Sequence, residues 1–339
     1  MSLGSSIASA GSKPKKTRRR SVEYGRYGIY FILPFFIVYG LFQLYPLIDT
    51  VFTSTQEHYY RGSKEVGPIA VGLENFKSVL MGKNDAGKMV LFNTDTFKAI
   101  YNTLVMWLMN FVPQILLSLV LAAWFTDTKV KLKGQGAYKV IMYLPNIITA
   151  ASIATLFYTM FCYGGPITVF LRNMGWIGEN TDFMKNAWAT RILIAFIQFW
   201  MWYGNTMIVL VAGILGISPS LFEAARVDGA SGWKIFRYVT LPLLKPILLF
   251  TLVTSAVGGL QMYDIPATFN VSGAGEPLPD GASQTITVYI LRMIRATRNY
   301  GKAAAISLIL FAITVIISLL FFFFLGDREK KPKKVKKEA

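Results

Sequence analysis

Six long apolar stretches, separated by shorter polar ones, organise the chain: residues 28–48, 99–125, 140–161, 192–217, 247–262 and 303–325. A helix needs about 20 apolar residues to cross the hydrocarbon of a bilayer. Alternation of this kind predicts an all-α protein with six transmembrane helices, each surrounded by lipid or by its neighbours. Pro34 and Pro46 interrupt the first stretch, and the fifth follows Pro246 and contains Gly258 and Gly259. Helices in a membrane tolerate such breaks where neighbouring groups satisfy the freed carbonyls. The first stretch is too long for a cleavable signal peptide, and no small-residue cleavage site follows it.

Composition agrees with the pattern. Of 339 residues, 53% are hydrophobic and only 16% charged, against about 25% charged in a soluble domain. One Cys (Cys162) and one His (His58) exclude a disulfide framework and a Cys/His metal site.

The net charge of +17 acquires meaning from its distribution. Residues 13–26 carry Lys13, Lys15, Lys16, Arg18, Arg19, Arg20 and Arg26 against Glu23. The second-to-third connection carries Lys129, Lys131 and Lys133 against Asp127, and the tail from Asp327 is equally lysine-rich. Together with the fourth-to-fifth connection, these segments hold 21 basic residues against seven acidic ones, whereas the other three connections are close to neutral. Positive charge remains on the cytoplasmic side, so both termini are expected in the cytoplasm of a multi-pass plasma-membrane protein, as an even number of spans requires. The excess is therefore explained without nucleic acid as a partner; the tails also suit anionic lipid.

The fourth-to-fifth connection is unusually constructed. Ser218-Pro219 suits the start of a short helix, with Leu221, Phe222, Ala225 and Val227 as its apolar side. Asp228-Gly229 should end it, glycine supplying the left-handed conformation. A second short helix from Ser231 to about Tyr238 presents Trp233, Phe236 and Val239, and Pro242 is expected to break it before the next span. Two small helices with a tight corner suggest a rigid knob: Ala224 and Ala225 permit close approach of a partner, and Glu223 and Arg226 fix register. An amphipathic helix lying on headgroups is the simpler alternative.

The run Glu223-Ala224-Ala225, Gly229 and Val239-Thr240-Leu241-Pro242, with Asp228 before the glycine, resembles the EAA motif of permease subunits of bacterial ATP-binding-cassette (ABC) importers; Val239 stands where the motif has Ile. Further elements resemble the sugar-permease branch, in its maltose-permease F-like form. They are Gly72-Leu73-Glu74-Asn75-Phe76, Asn102-Thr103-Leu104, Tyr143-Leu144-Pro145, residues 285–289, and Tyr300-Gly301 with Ala303-Ala304-Ala305-Ile306-Ser307. The resemblance covers roughly residues 25–326 and departs from the branch at Val271–Pro277.

It implies a type I importer (MetI-like) permease fold over residues 27–326, with a coupling loop at 218–242 and basic tails at 1–26 and 327–339. The implied partners are a second, homologous permease subunit in a heterodimer, two cytoplasmic ABC ATPase subunits and an extracytoplasmic binding protein that delivers a sugar or oligosaccharide. Glu223, Ala224, Ala225, Arg226, Asp228 and Gly229 would couple to the ATPase, and ATP and magnesium would be bound there, leaving this chain without cofactor or catalytic residue.

Polar groups inside spans are costly and point to a transport path. Gln198, Trp202 and Asn205 follow one another at spacings of four and three on the fourth span, and Thr254, Gly258 and Gln261 repeat that spacing on the fifth. By offset from Glu223 and Pro242, both sets match the helices that line the sugar site in the family. Aromatic faces stack on sugar rings and amides bond hydroxyls; the same groups equally serve hydrogen bonding between helices. Asp264 should lie at the outer mouth.

Gly82–Met89 almost spells a phosphate loop, but it ends in Met, follows no apolar strand and falls in an external connection. The spans contain no carboxylates for an ion relay, which disfavours a secondary transporter. Cargo other than sugar remains the alternative within the importer class.

Overall fold

The computed structural model describes residues 25–83, 89–91, 94–127, 133–269 and 281–326. Residues 1–24 and 327–339 of the basic tails, Lys129, Lys131, the Val271–Pro277 departure and the centre of the Gly82–Met89 run lie outside the described residues. The chain divides into two compact units, Met1–Asp49 and Thr50–Ala339.

In the first unit, α1 (Gly25–Tyr39) contains Pro34 and widens into a π turn at Gly40–Leu44. The turn falls just ahead of Pro46, whose missing N–H would leave a normal helical ladder incomplete. α2 (Tyr45–Ser54) continues the chain into the second unit.

The second unit departs from a purely α expectation outside its spans. β1 (Gln56–Arg61) and β2 (Lys64–Ala70) form an antiparallel hairpin turned at Gly62-Ser63, Gly62 having φ +66°. Alternating His58, Tyr60 and Glu65 share one face: His58 Nε2 lies 2.9 Å from Glu65 Oε1, and its ring is 5.1 Å from that of Tyr300. Those contacts, His58 first and the Tyr60 hydroxyl second, hold the Glu65 carboxyl below its ordinary range. α3 (Glu74–Leu80) follows, and β3 (Met81–Lys83) pairs with β4 (Met89–Leu91).

The spanning bundle begins with α4 (Asp95–Thr126), capped by the Thr94 hydroxyl, which accepts from Phe97 N. The predicted third span is divided. α5 (Gln135–Tyr143) passes into a 3-10 turn at Leu144–Ile147, where Pro145 cannot donate, and α6 (Ala150–Phe161) restarts after Thr149. α7 (Pro166–Asn173) is followed by α8 (Ala187–Leu215), whose Asn186 cap accepts from Trp188 N and Ala189 N. Then come α9 (Pro219–Val227), α10 (Gly232–Ile235), α11 (Leu241–Leu260), α12 (Asp264–Thr268), α13 (Ile286–Arg295) and α14 (Tyr300–Leu325). Among the described residues, six helical stretches are long and apolar enough to cross a membrane: Tyr27–Ser54, Asp95–Thr126, Ala150–Asn173, Ala187–Leu215, Gly232–Thr268 and Tyr300–Leu325.

Side-chain contacts give their directions. Asn102 meets Arg191 near the start of α4 and α8, while Gln114 meets Thr206 and Ser118 meets Tyr203 further along, so these two helices run the same way. One span, α6, must therefore return between them. α11 opposes both, because Leu244 and Ile247 near its start face Gly213 of α8, and Gly259 near its end faces Trp107 of α4. Met106, Ile194, Ile197, Leu260 and Ile306 close the core between these helices with no exposed surface.

Close approach depends on glycine. A Cβ at Gly204 would overlap the Met142 carbonyl, whereas one at Gly136 would meet nothing within 4 Å. Gly204→Ala should therefore destabilise the protein by about 1–3 kcal/mol. The thermal midpoint in detergent should fall relative to Gly136→Ala, and equal midpoints would contradict the packing of α5 on α8.

Candidate functional site

The fourth-to-fifth connection folds as an elbow. Pro219 starts α9 in the first helical turn after Ser218, although the Ser218 hydroxyl contacts Ser220 Oγ at 2.8 Å rather than capping the backbone. The helix closes with two crossed bonds: Ala230 N donates to Ala225 O and Gly229 N to Arg226 O, both at 3.0 Å. This is the Schellman arrangement, and Gly229 supplies its left-handed residue at φ +75°. The Ser231 hydroxyl then caps α10 by accepting from Lys234 N.

Pro242 does not break the second helix. A π turn at Phe236–Thr240 widens the spiral, Leu241 N reaching back to Phe236 O, and α10 runs through it into α11. The wider turn avoids the bond that proline cannot donate, and Thr240 Oγ1 bonds the Ile235 carbonyl. The elbow is thus mechanically continuous with the fifth span.

Glu223, Ala224, Asp228 and Gly229 are exposed, while Ala225 and Arg226 are half-buried. Val227 does not belong to the apolar side: it is 88% exposed, one position beyond the face that carries Phe222 and Arg226 inward. Behind α9 lies a cavity of about 470 Å³ against the ends of α4 and α8, lined by Trp124, Asp127, Phe222, Glu223, Arg226 and Trp233 among others. Asp127 and Arg226 both have partners.

The six path candidates divide. Thr254 and Gly258 are exposed on α11 and Gln261 is exposed at its C-cap, and a Cβ at Gly258 would meet nothing within 4 Å. On α8, Trp202 is 42% exposed and Asn205 half-buried, but Gln198 is buried at 9%. The spacing of four therefore does not carry Gln198 onto the same open surface. Thr254 spends its hydroxyl on the Phe250 carbonyl at 2.9 Å.

Residues 97–329 match the protein family described as binding-protein-dependent transport system inner membrane component. The chain belongs to that family. This permease is 28% identical to the lactose transport system permease protein LacF of Rhizobium radiobacter over 93% of its own length and 99% of that protein's. It is 27% identical to the arabinooligosaccharides transport system permease protein AraP of Halalkalibacterium halodurans, over 88% and 87% of the two chains. Its fold matches a chain of a bacterial alginate ABC transporter, solved in complex with a periplasmic protein bound to an alginate pentasaccharide. The TM-score is 0.66 at 23% identity, covering 89% and 95% of the chains.

The permease carries polar residues that reasoning from motifs passed over. Ser152, Thr155 and Thr159 form an exposed hydroxyl-bearing strip on α6, and their i, i+3, i+7 spacing was the available signal. Arg191, a cation within the first turns of a spanning helix, was another. His58 lies in the hairpin, Cys162 caps the end of α6, and Asp264 opens α12, exposed.

The corner makes a direct prediction. Gly229→Ala forces an L residue into the left-handed region at about 1–2 kcal/mol. Amide exchange at positions 229 and 230 should quicken by about tenfold, with exchange in α8 unaltered. Unchanged exchange at the corner would rule out the Schellman closure.

Proposed function

We propose that the permease forms, with a homologous partner subunit, the translocation path for a sugar or oligosaccharide delivered by an extracytoplasmic binding protein, and that separate cytoplasmic ATPase subunits drive it through the elbow. The observation that carries this reading is the continuity of a rigid, exposed elbow with α11. Force applied to Glu223, Ala224, Ala225, Arg226, Asp228 and Gly229 passes across the Gly229 corner to α10 and then through the π turn into the span that bears Thr254, Gly258 and Gln261. In this reading both termini and the elbow lie in the cytoplasm, and α14, following α11 back, ends on the elbow's side.

In this reading the mechanism is alternating access. ATP-driven closure of the motor subunits moves the two elbows of the heterodimer together. α8 and α11, anchored on either side of the elbow, then re-aim the faces that carry Trp202, Asn205, Thr254, Gly258 and Gln261, with Ser152, Thr155 and Thr159 of α6 as additional lining. Hydroxyls and amides exchange hydrogen bonds with sugar hydroxyls, and Trp202 offers an apolar face to a ring. The names of LacF and AraP support neutral sugar as the cargo class. Nucleotide and magnesium belong to the motor subunits.

The test is reconstitution with the partner permease, ATPase and binding protein. Lactose, arabino-oligosaccharides, alginate oligosaccharides and histidine are each assayed for stimulation of ATP hydrolysis. A neutral sugar should stimulate; stimulation by histidine alone would overturn the cargo assignment. Glu223→Lys and Gly229→Asp should abolish uptake while leaving the protein in the membrane, and normal uptake by both variants would overturn the coupling assignment.

A further inference from the structure

At the end of α8 farthest from the elbow, a buried polar cluster ties three elements together. Asn102 of α4 is 2% exposed. Its Nδ2 donates to Gly281 O at 2.7 Å and to Gln284 O at 3.1 Å, and its Oδ1 accepts from Arg191 Nε at 3.1 Å and Nη2 at 2.9 Å. The guanidinium also lies 5.2 Å from the Trp188 ring centre and 5.6 Å from that of Tyr101.

Donor and acceptor chemistry makes this arrangement directional. A guanidinium only donates, so it claims the amide oxygen of Asn102 and leaves the NH₂ for carbonyls. Those carbonyls belong to an irregular segment that needs them satisfied. Ala282, Ser283 and Thr285 have no exposed surface, and Gln284 has 7%. Non-helical backbone at such a place persists only where protein groups complete its hydrogen bonds. No ion pair between Arg191 and a carboxylate exists among the described residues; its guanidinium instead holds a neutral amide.

The segment is also fastened on its far side. Thr103 Oγ1 accepts from Ile286 N at 2.8 Å, and Thr285 Oγ1 donates to Met262 O at 3.1 Å. Met262 directly follows Gln261, the outermost of the path candidates on α11.

We propose that Arg191 and Asn102 are positioning residues for the outer end of the translocation path: Arg191 orients the Asn102 amide, Asn102 holds segment 281–285, and Thr285 holds the Gln261 end of α11. The inference rests on Gln261 being part of that path. It places the two ends of one rigid helix at two tasks, since α8 leads into the elbow at one end and presents Arg191 at the other.

The test uses the assembled transporter in vesicles, with Cys162→Ser as background and Ser283→Cys as a near-isosteric reporter, labelled by a membrane-impermeant maleimide. With Asn102 and Arg191 intact the reporter thiol should be protected. Asn102→Ala and Arg191→Gln should each speed labelling by about tenfold, the loss expected for charge-assisted hydrogen bonds to a buried group. Asn102→Asp is the discriminating variant: it strengthens the contact with Arg191 but has no NH₂ for Gly281 and Gln284, so it should label as fast as Asn102→Ala. Arg191→Lys, whose donors sit on one nitrogen and cannot reproduce the Nε/Nη2 fork, should fall between.

The same variants are measured for uptake of lactose or an arabino-oligosaccharide, whichever stimulates the reconstituted transporter. KM should rise by about tenfold while the maximal rate changes by less than about twofold. Protection retained in Asn102→Asp, or a fallen maximal rate with KM unaltered, would overturn the proposal. Labelling is read without sugar, so an unaltered KM in Gln261→Ala beside fast labelling in Asn102→Asp would count against the path reading and leave the latch standing.

Discussion

Backbone hydrogen bonding is the constraint on which this permease depends. Lipid offers no donors or acceptors, so each interruption of a helix must be completed by protein. The structure meets that demand in two ways. Before Pro46 and Pro242 the helix changes pitch, at Gly40–Leu44 and Phe236–Thr240. Where the chain leaves helical geometry, a buried asparagine bridges two carbonyls. Asn102 does so for Gly281 and Gln284, and Asn75 for Ser54 and Gln56 at 2.9 and 2.8 Å. The Asn75 staple sits beside Gly301, where any Cβ would strike the Gln56 carbonyl. The start of α14 can approach β1 only because both conditions hold.

The same economy governs packing between spans. Apolar contact gives helices little reason to associate in lipid, so small residues and polar bonds carry more of the burden. α4 and α8 are joined at three levels by Asn102–Arg191, Gln114 Nε2 donating to Thr206 Oγ1 at 2.8 Å, and Ser118 Oγ donating to Tyr203 O at 2.7 Å. These bonds fasten the pair along its length. α8, at 29 residues and about 1.5 Å per residue, is about 43 Å long, enough to link events on opposite sides of a membrane. α11 complements it, because its continuity with the elbow makes it the element that a displaced elbow must move.

Much of this was legible in the sequence. Span number, all-helical bundle and the elbow followed from long apolar runs, from Ser218-Pro219 and Asp228-Gly229, and from the motif around Glu223, because each is a local signal with a local cause. The hairpin at Gln56–Arg61 and Lys64–Ala70 was missed. Beyond its own ladder it is tied by Glu65 reaching His58 and Tyr60 and by Tyr60 N bonding Arg298 O at 3.1 Å, the last a contact distant in sequence.

Sequence by itself determined how many stretches are long and apolar enough to span a membrane, since transfer energy is summed residue by residue along a window of fixed length. It also determined where the corner at Gly229 must turn, since only glycine occupies that backbone region without strain. Tertiary structure decided what periodicity could not: that Gln198 turns inward while Trp202 opens outward, that Val227 lies outside the apolar face, and that Pro242 is absorbed by a wider turn. It also decided that Asn102, held by Arg191, meets a segment some 180 residues away. Such outcomes depend on which neighbour completes a hydrogen bond or fills a gap, and that neighbour is chosen by the packing of the whole bundle.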